Sequence, residues 1–82
     1  MMHMEITLDE LSAGQSGRIT RLEGEPELRM RLMDMGLVRG TEVRVVRVAP
    51  LGDPVEFELR GYRLTLRGED ARCVWIDVGE RL

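Results

Sequence analysis

Residues 25–40 read Glu-Pro-Glu-Leu-Arg-Met-Arg-Leu-Met-Asp-Met-Gly-Leu-Val-Arg-Gly, and this stretch decides the fold. It is the one strong helix signal in the chain. Pro26 suits the first helical position, where a missing N–H has no partner to lose. Glu25 and Glu27 put negative charge at the positive end of the helix dipole. Gly36 can take the left-handed conformation that closes a helix. Leu28, Leu32 and Met35 recur at helical spacing and form the face expected to pack on a core. Met30 and Met33 point roughly the other way. They form either a second packing layer or a contact surface, since the unbranched thioether side chain adapts to many partners.

Outward from the helix the chain reads as strand. Ile6 and Leu8 alternate with Glu5, Thr7 and Asp9, the pattern of a short edge strand, and Leu11 packs at the turn that follows. Residues 16–23 form a strand with Ile19 as its core residue and Leu22 in the opposite phase. Residues 41–49 form the longest strand. Its valines change face midway, from Val43 and Val45 to Val46 and Val48, which predicts a bulge or sharp bend. The loop Pro50-Leu51-Gly52-Asp53-Pro54 carries strong turn chemistry. Leu51 at its tip either tucks under the loop or is offered to a partner.

Residues 55–67 predict a hairpin. Val55, Phe57 and Leu59 alternate with glutamates and Arg60, and Leu64 and Leu66 alternate with Arg63, Thr65 and Arg67. A two-residue turn at Gly61-Tyr62 then places Leu59 opposite Leu64, Phe57 opposite Leu66 and Glu56 opposite Arg67. It also sets Arg60 against Arg63, an unfavourable pair. Residues 68–71 form a turn or a single helical turn. Residues 73–78 form the last strand, with Val74, Ile76 and Val78 inward. Trp75, the sole tryptophan, falls on the outer side, where it either covers a neighbour or anchors an interface.

The 82 residues make a single domain, with residues 1–4 expected to fray. A His in third place, as His3 is, can hold Cu(II) or Ni(II) in a square-planar site if the N-terminus is free; the frayed terminus is the competing reading. Cys73 is the only cysteine, which excludes a disulfide scaffold and suits a reducing compartment. No secretory pattern or membrane-length apolar run is present, so a soluble cytoplasmic protein is expected. The net charge of −3 argues mildly against a general nucleic-acid binder. Every basic side chain is arginine; composition bias explains that, although the planar guanidinium also suits interfaces.

The chemistry of catalysis is missing. His3 is the sole histidine, and Cys73 has no base near it in sequence, so no nucleophilic triad has members. There is no lysine and no phosphate loop, no Cys/His cluster for zinc and no carboxylate set for a hard cation. These readings point to a small β-barrel that works by contact, with no catalytic residues, no metal ligands and no cofactor.

Several segments together resemble one family. They are Leu8, Leu11, Gly14 and Gly17-Arg18-Ile19, then Arg31-Leu32-Met33-Asp34-Met35-Gly36-Leu37-Val38-Arg39-Gly40. The likeness continues through Ala49-Pro50-Leu51-Gly52-Asp53-Pro54, Leu59-Arg60-Gly61-Tyr62-Arg63-Leu64-Thr65-Leu66-Arg67, Ala71 and Ile76-Asp77-Val78. Across nearly its whole length the chain resembles FeoA, the small cytoplasmic protein of bacterial ferrous-iron transport. The resemblance implies a mainly β fold: an SH3-like barrel of about five strands, with one short α-helix inserted after the first barrel strand. It also implies a non-enzymatic role beside FeoB, the membrane iron permease with a cytoplasmic GTPase region. A weak homo-oligomer is compatible with it.

The expected function is therefore an interaction module that binds a FeoB-type transporter and modulates or helps assemble it. The expected contact residues are Met30, Met33, Leu51 and Trp75. The rival is nucleic-acid binding through Arg60, Arg63 and Arg67, with only Tyr62 and Trp75 free to stack on bases. A metal-sensing module is a third reading, resting on analogy with the C-terminal domains of metal-dependent repressors.

Overall fold

The computed structural model describes residues 4–79, so the His3 expectation lies outside the described residues. Six antiparallel strands form one sheet in the order β1-β6-β2-β3-β4-β5. They are β1 (Glu5–Thr7), β2 (Ser16–Leu22), β3 (Glu42–Val48), β4 (Val55–Leu59), β5 (Tyr62–Leu66) and β6 (Val74–Asp77). Helix α1 (Pro26–Asp34) lies between β2 and β3, and the single turn α2 (Gly68–Ala71) precedes β6. This is the SH3-like barrel with one inserted helix, the short edge strand β1 bringing the strands to six.

The core draws on every strand except β1. Leu8, Ile19, Leu32, Leu37, Val43, Val45, Phe57, Leu59, Val74 and Ile76 are all essentially inaccessible to solvent. Each such aliphatic or aromatic side chain contributes roughly 1.5–3 kcal/mol relative to exposure.

Helix α1 begins and ends as its sequence dictates. Pro26 is the first helical residue. Leu32 is fully buried, with Leu28 and Met35 packed at the edge of the core. At the C-terminus Gly36 has φ of 98°, its N–H donates to the Met33 carbonyl, and the Leu37 N–H donates to the Leu32 carbonyl. These two bonds make a Schellman motif, and its usual apolar contact is present because Leu32 and Leu37 are both buried. The Tyr62 hydroxyl donates to the Met35 carbonyl at 2.7 Å, satisfying one more carbonyl that the helix leaves open.

Two register shifts bend the sheet. In β3 the shift falls between Val45 and Arg47, at the predicted face change, and lets Val48 reach the core after Val45. In β2 a second shift falls between Ile19 and Arg21. It turns Leu22 onto the core, opposite Val74, although simple alternation assigns Leu22 the other face. That is a correction: an inserted residue restores a phase that strict alternation loses.

The hairpin register also differs from the expected one. The turn is Arg60-Gly61, both with positive φ (50° and 85°), as a type I′ turn requires. The pairs are Leu59 with Tyr62, Phe57 with Leu64 and Val55 with Leu66. This register gives Val55 and Tyr62 apolar partners, whereas a Gly61-Tyr62 turn leaves Val55 facing a glycine. It also sets Arg63 opposite Glu58 and removes the Arg60–Arg63 clash. Glu56 lies 3.6 Å from Arg47 and 3.9 Å from Arg63, and Arg67 lies 4.0 Å from Glu69, so the expected Glu56–Arg67 pair does not form. Left-handed backbone at Arg60 offsets part of the gain.

Candidate functional site

The four expected contact residues stand in three places. Met30 and Met33 lie on the solvent face of α1, 61% and 45% exposed, while Leu28, Leu32 and Met35 face inward. Leu51 tips the β3–β4 loop with its side chain fully in solvent and its backbone left-handed at φ 70°. The loop beneath it is tied down, since Asp53 accepts the Gly68 N–H at 3.0 Å. Arg31 of α1 in turn reaches Asp70 of α2 at 3.2 Å. The loop, the short helix and α1 are thus linked by side-chain bonds.

Trp75 stands on the outer face of β6, half-buried, and is engaged within the chain. The Arg21 guanidinium stacks 4.3 Å from its ring centroid, and its Nε1–H donates to Glu23 at 2.7 Å. Arg21 also pairs with Glu23 and, at 3.3 Å, with Glu5. The indole hydrogen bond first, and Arg21 second, hold the Glu23 carboxyl below the ordinary carboxylate range.

Of the four, Met33 borders a groove beside α1. This groove, of about 370 Å³, is lined by Thr20, Arg21, Leu22, Arg29, Met33, Val38 and Arg39. Arg21, the partner of Trp75, forms one wall, whereas Met30, Leu51 and Trp75 do not line it. Sequence reading did not single out Arg29, Val38 or Arg39, because the β2 shift and the α1–β3 turn that bring them together leave no local signature. The arginines of the nucleic-acid reading are engaged elsewhere: Arg60 reaches the Thr41 hydroxyl at 3.4 Å, and Arg63 and Arg67 approach glutamates.

Reactive chemistry is sparse. Burial, and then the Asp70 charge, raise the Cys73 thiol above its ordinary value, which disfavours the nucleophilic thiolate. Among the described residues no group of three or more His, Cys, Asp or Glu is placed to hold a metal ion. No helix among them is long and apolar enough to cross a membrane.

The FeoA domain family matches residues 6–78. The chain belongs to the FeoA family. A curated relative from Porphyromonas gingivalis, a fusion of Fe(2+) transport protein A with the Fe(2+) transporter FeoB, is 39% identical over 71 residues. That alignment covers 87% of this chain but only 8% of the fusion protein. Such a fusion links the family to ferrous-iron transport. Among solved structures, a FeoA-like protein from Clostridium acetobutylicum is 37% identical with a TM-score of 0.81, covering 93% of this chain and 87% of its own. The FeoA of Stenotrophomonas maltophilia, described as a prokaryotic SH3-domain protein in complex with zinc, is 30% identical with a TM-score of 0.77, covering 88% of this chain and 89% of its own. The described residues of this chain do not assemble a site of the kind that holds zinc.

Proposed function

We propose that this chain is a non-enzymatic cytoplasmic accessory module that docks on the cytoplasmic region of a FeoB-type ferrous-iron transporter and modulates or helps assemble it. The observation that carries the reading is the fusion relative, in which a domain similar to nearly all of this chain is covalently joined to FeoB. Fusion holds two domains at high effective concentration, which serves domains that act together.

The surface supports contact work. Met30, Met33 and Leu51 are large exposed apolar side chains that no part of the described chain covers, and adaptable methionines suit a binding face. Leu51 in addition holds a left-handed backbone that β-carbon sterics disfavour. Trp75, half-buried on the outer face of β6, is the fourth candidate, its ring already fixed by Arg21 and Glu23.

The test is an NMR titration of isotope-labelled protein with the transporter's cytoplasmic domain, repeated with the full transporter in detergent. Shifts concentrated at Met30, Met33, Leu51 and Trp75 are expected. The double change Met30→Glu/Met33→Glu should abolish them with the fold intact, because both side chains lie outside the core. Absence of shifts with both partners refutes the docking role; unfolding of the double variant refutes the assignment of the two methionines.

A further inference from the structure

The groove between α1 and β2 has a charge pattern unlike its surroundings. The chain carries a net charge of −3, yet the groove is lined by Arg21, Arg29 and Arg39 with no carboxylate. Two further concavities mix the signs: one has Glu42 and Glu58 beside Arg44 and Arg60, the other Glu42 and Asp77 beside Arg18. Arg21 is neutralised by Glu5 and Glu23. The Arg29 and Arg39 guanidiniums reach no carboxylate among the described residues; that of Arg29 donates to the Gly24 carbonyl, at 2.8 Å. Leu22, Met33 and Val38 supply apolar surface between them. The volume, about 370 Å³, is enough for one or two side chains of a partner.

The backbone along this groove adds a second observation. β3 pairs with β2 only from Ser16 to Arg18, and the last contacts on that side are the bonds of Ile19 with Thr41 and Gly40. Beyond them the sheet continues from β2 only on the β6 side. Thr20 and Leu22 therefore border the groove at a stretch of strand edge with no strand beside it, the kind of edge to which an extended peptide can add.

We infer that this groove receives an extended acidic segment of a protein partner. An aliphatic side chain of the segment sits among Leu22, Met33 and Val38, and its flanking carboxylates meet Arg29 and Arg39. Guanidinium forks match carboxylates with paired, charge-assisted hydrogen bonds. An anionic membrane surface fits less well, because the acidic whole chain is repelled by it and the basic feature is a narrow groove. RNA lacks the aromatic platforms that it stacks on, as none lines the groove. The inference rests on the docking role proposed above and specifies the segment's chemistry.

The experiment has two arms. In the first, labelled protein is titrated with the synthetic peptide Asp-Glu-Leu-Glu-Asp, with its Asn-Gln-Leu-Gln-Asn counterpart, and with vesicles of phosphatidylglycerol and phosphatidylcholine. The acidic peptide should shift the amides of Thr20, Leu22, Val38 and Arg39; the uncharged peptide should not. Combining Arg29→Gln with Arg39→Glu should weaken the acidic peptide about tenfold or more. Raising salt from about 0.1 M to 1 M, which cuts the Debye length from roughly 10 Å to 3 Å, should weaken it similarly. Unchanged amide positions at Val43 and Ile76 would show that the variant is folded, and single Arg39→Gln, at an exposed position, gives a milder check.

The second arm repeats the comparison with the transporter's cytoplasmic domain. Peptide binding without transporter binding supports the groove and removes the transporter as the segment's source. Transporter binding undiminished in the double variant overturns the groove while the docking role stands. Vesicle binding without peptide binding, or equal binding of both peptides, also overturns it.

Discussion

Gly36 should be the position where a single methyl group does most to loosen α1 from the barrel. Its φ is 98°, and an added β-carbon would collide with the Tyr62 hydroxyl and press on Leu59 at 3.2 Å. Left-handed backbone costs a residue with a β-carbon roughly 1–2 kcal/mol. Displacing Tyr62 breaks its 2.7 Å bond to the Met35 carbonyl, a further loss of about 0.5–1.5 kcal/mol. The smaller unfolded-state entropy of alanine returns about 0.4–1 kcal/mol. The net destabilisation for Gly36→Ala is then about 2 kcal/mol, and at roughly 4–8 °C per kcal/mol for a domain of this size Tm should fall about 8–16 °C. Thermal and urea unfolding followed by Trp75 fluorescence measures it. Tyr62→Phe alone should cost about 0.5–1.5 kcal/mol, and Gly36→Ala in that background should cost about 1 kcal/mol less than in the parent, since the hydroxyl is already gone. A Tm change below about 3 °C, or additivity of the two changes, would refute the account of the helix end.

Further expectations follow from the same geometry. Gly17→Ala should destabilise by at least about 2 kcal/mol, because its β-carbon would run into the buried Ile76 side chain and lie 2.9 Å from the Asp77 carbonyl; an unchanged urea midpoint would contradict the β2–β6 packing. Leu51→Asn should leave Tm unchanged or raise stability by up to about 1 kcal/mol, as asparagine tolerates the left-handed backbone, and a clear fall would show that Leu51 is held by packing. Glu23 is depressed in the folded state, so its contribution is full above its unfolded value and is lost as pH falls through the folded one. The Trp75 indole N–H resonance should therefore titrate below the ordinary carboxylate range, and Glu23→Gln should abolish that titration. Cys73, raised by burial and Asp70, should react with iodoacetamide at neutral pH more slowly in the folded chain than in urea; equal rates would contradict its placement.

What could be read in advance was whatever local chemistry decides. The start of α1 follows from Pro26 and its end from Gly36, because fixed φ and positive φ are single-residue properties. The bend of β3 was legible because four valines mark it by changing face. The matching bend in β2 was not, because Ile19 and Leu22 alone leave two phases open and only pairing with Val74 and Ile76 chooses between them. The hairpin turn lies one residue earlier than strict alternation places it, for a related reason. Gly61 accepts positive φ in either register, and the choice fell to the cross-strand partners of Val55 and Tyr62. Of the candidate site, exposed Met30 and Met33 follow from helical phase. The cage around Trp75 includes Glu23, 52 positions away, and has no local trace.

The limited pairing of β2 with β3 has a consequence for function beyond closing a barrel. β3 begins at Glu42, opposite Arg18, so the rest of β2 continues beside only β6. The chain fills the space on the free side with α1 and the Val38-Arg39 turn rather than with another strand, and leaves a groove between them. The Schellman closure at Gly36 sends the chain from α1 back toward β3, so that Leu37 enters the core while Val38 and Arg39 line the groove. The same glycine that ends the helix thus shapes one wall of the proposed docking surface. Gly36→Ala should consequently weaken partner binding even at temperatures where the variant remains folded, whereas Gly17→Ala, on the far side of β2 toward β6, should lower stability without altering the groove's arginines.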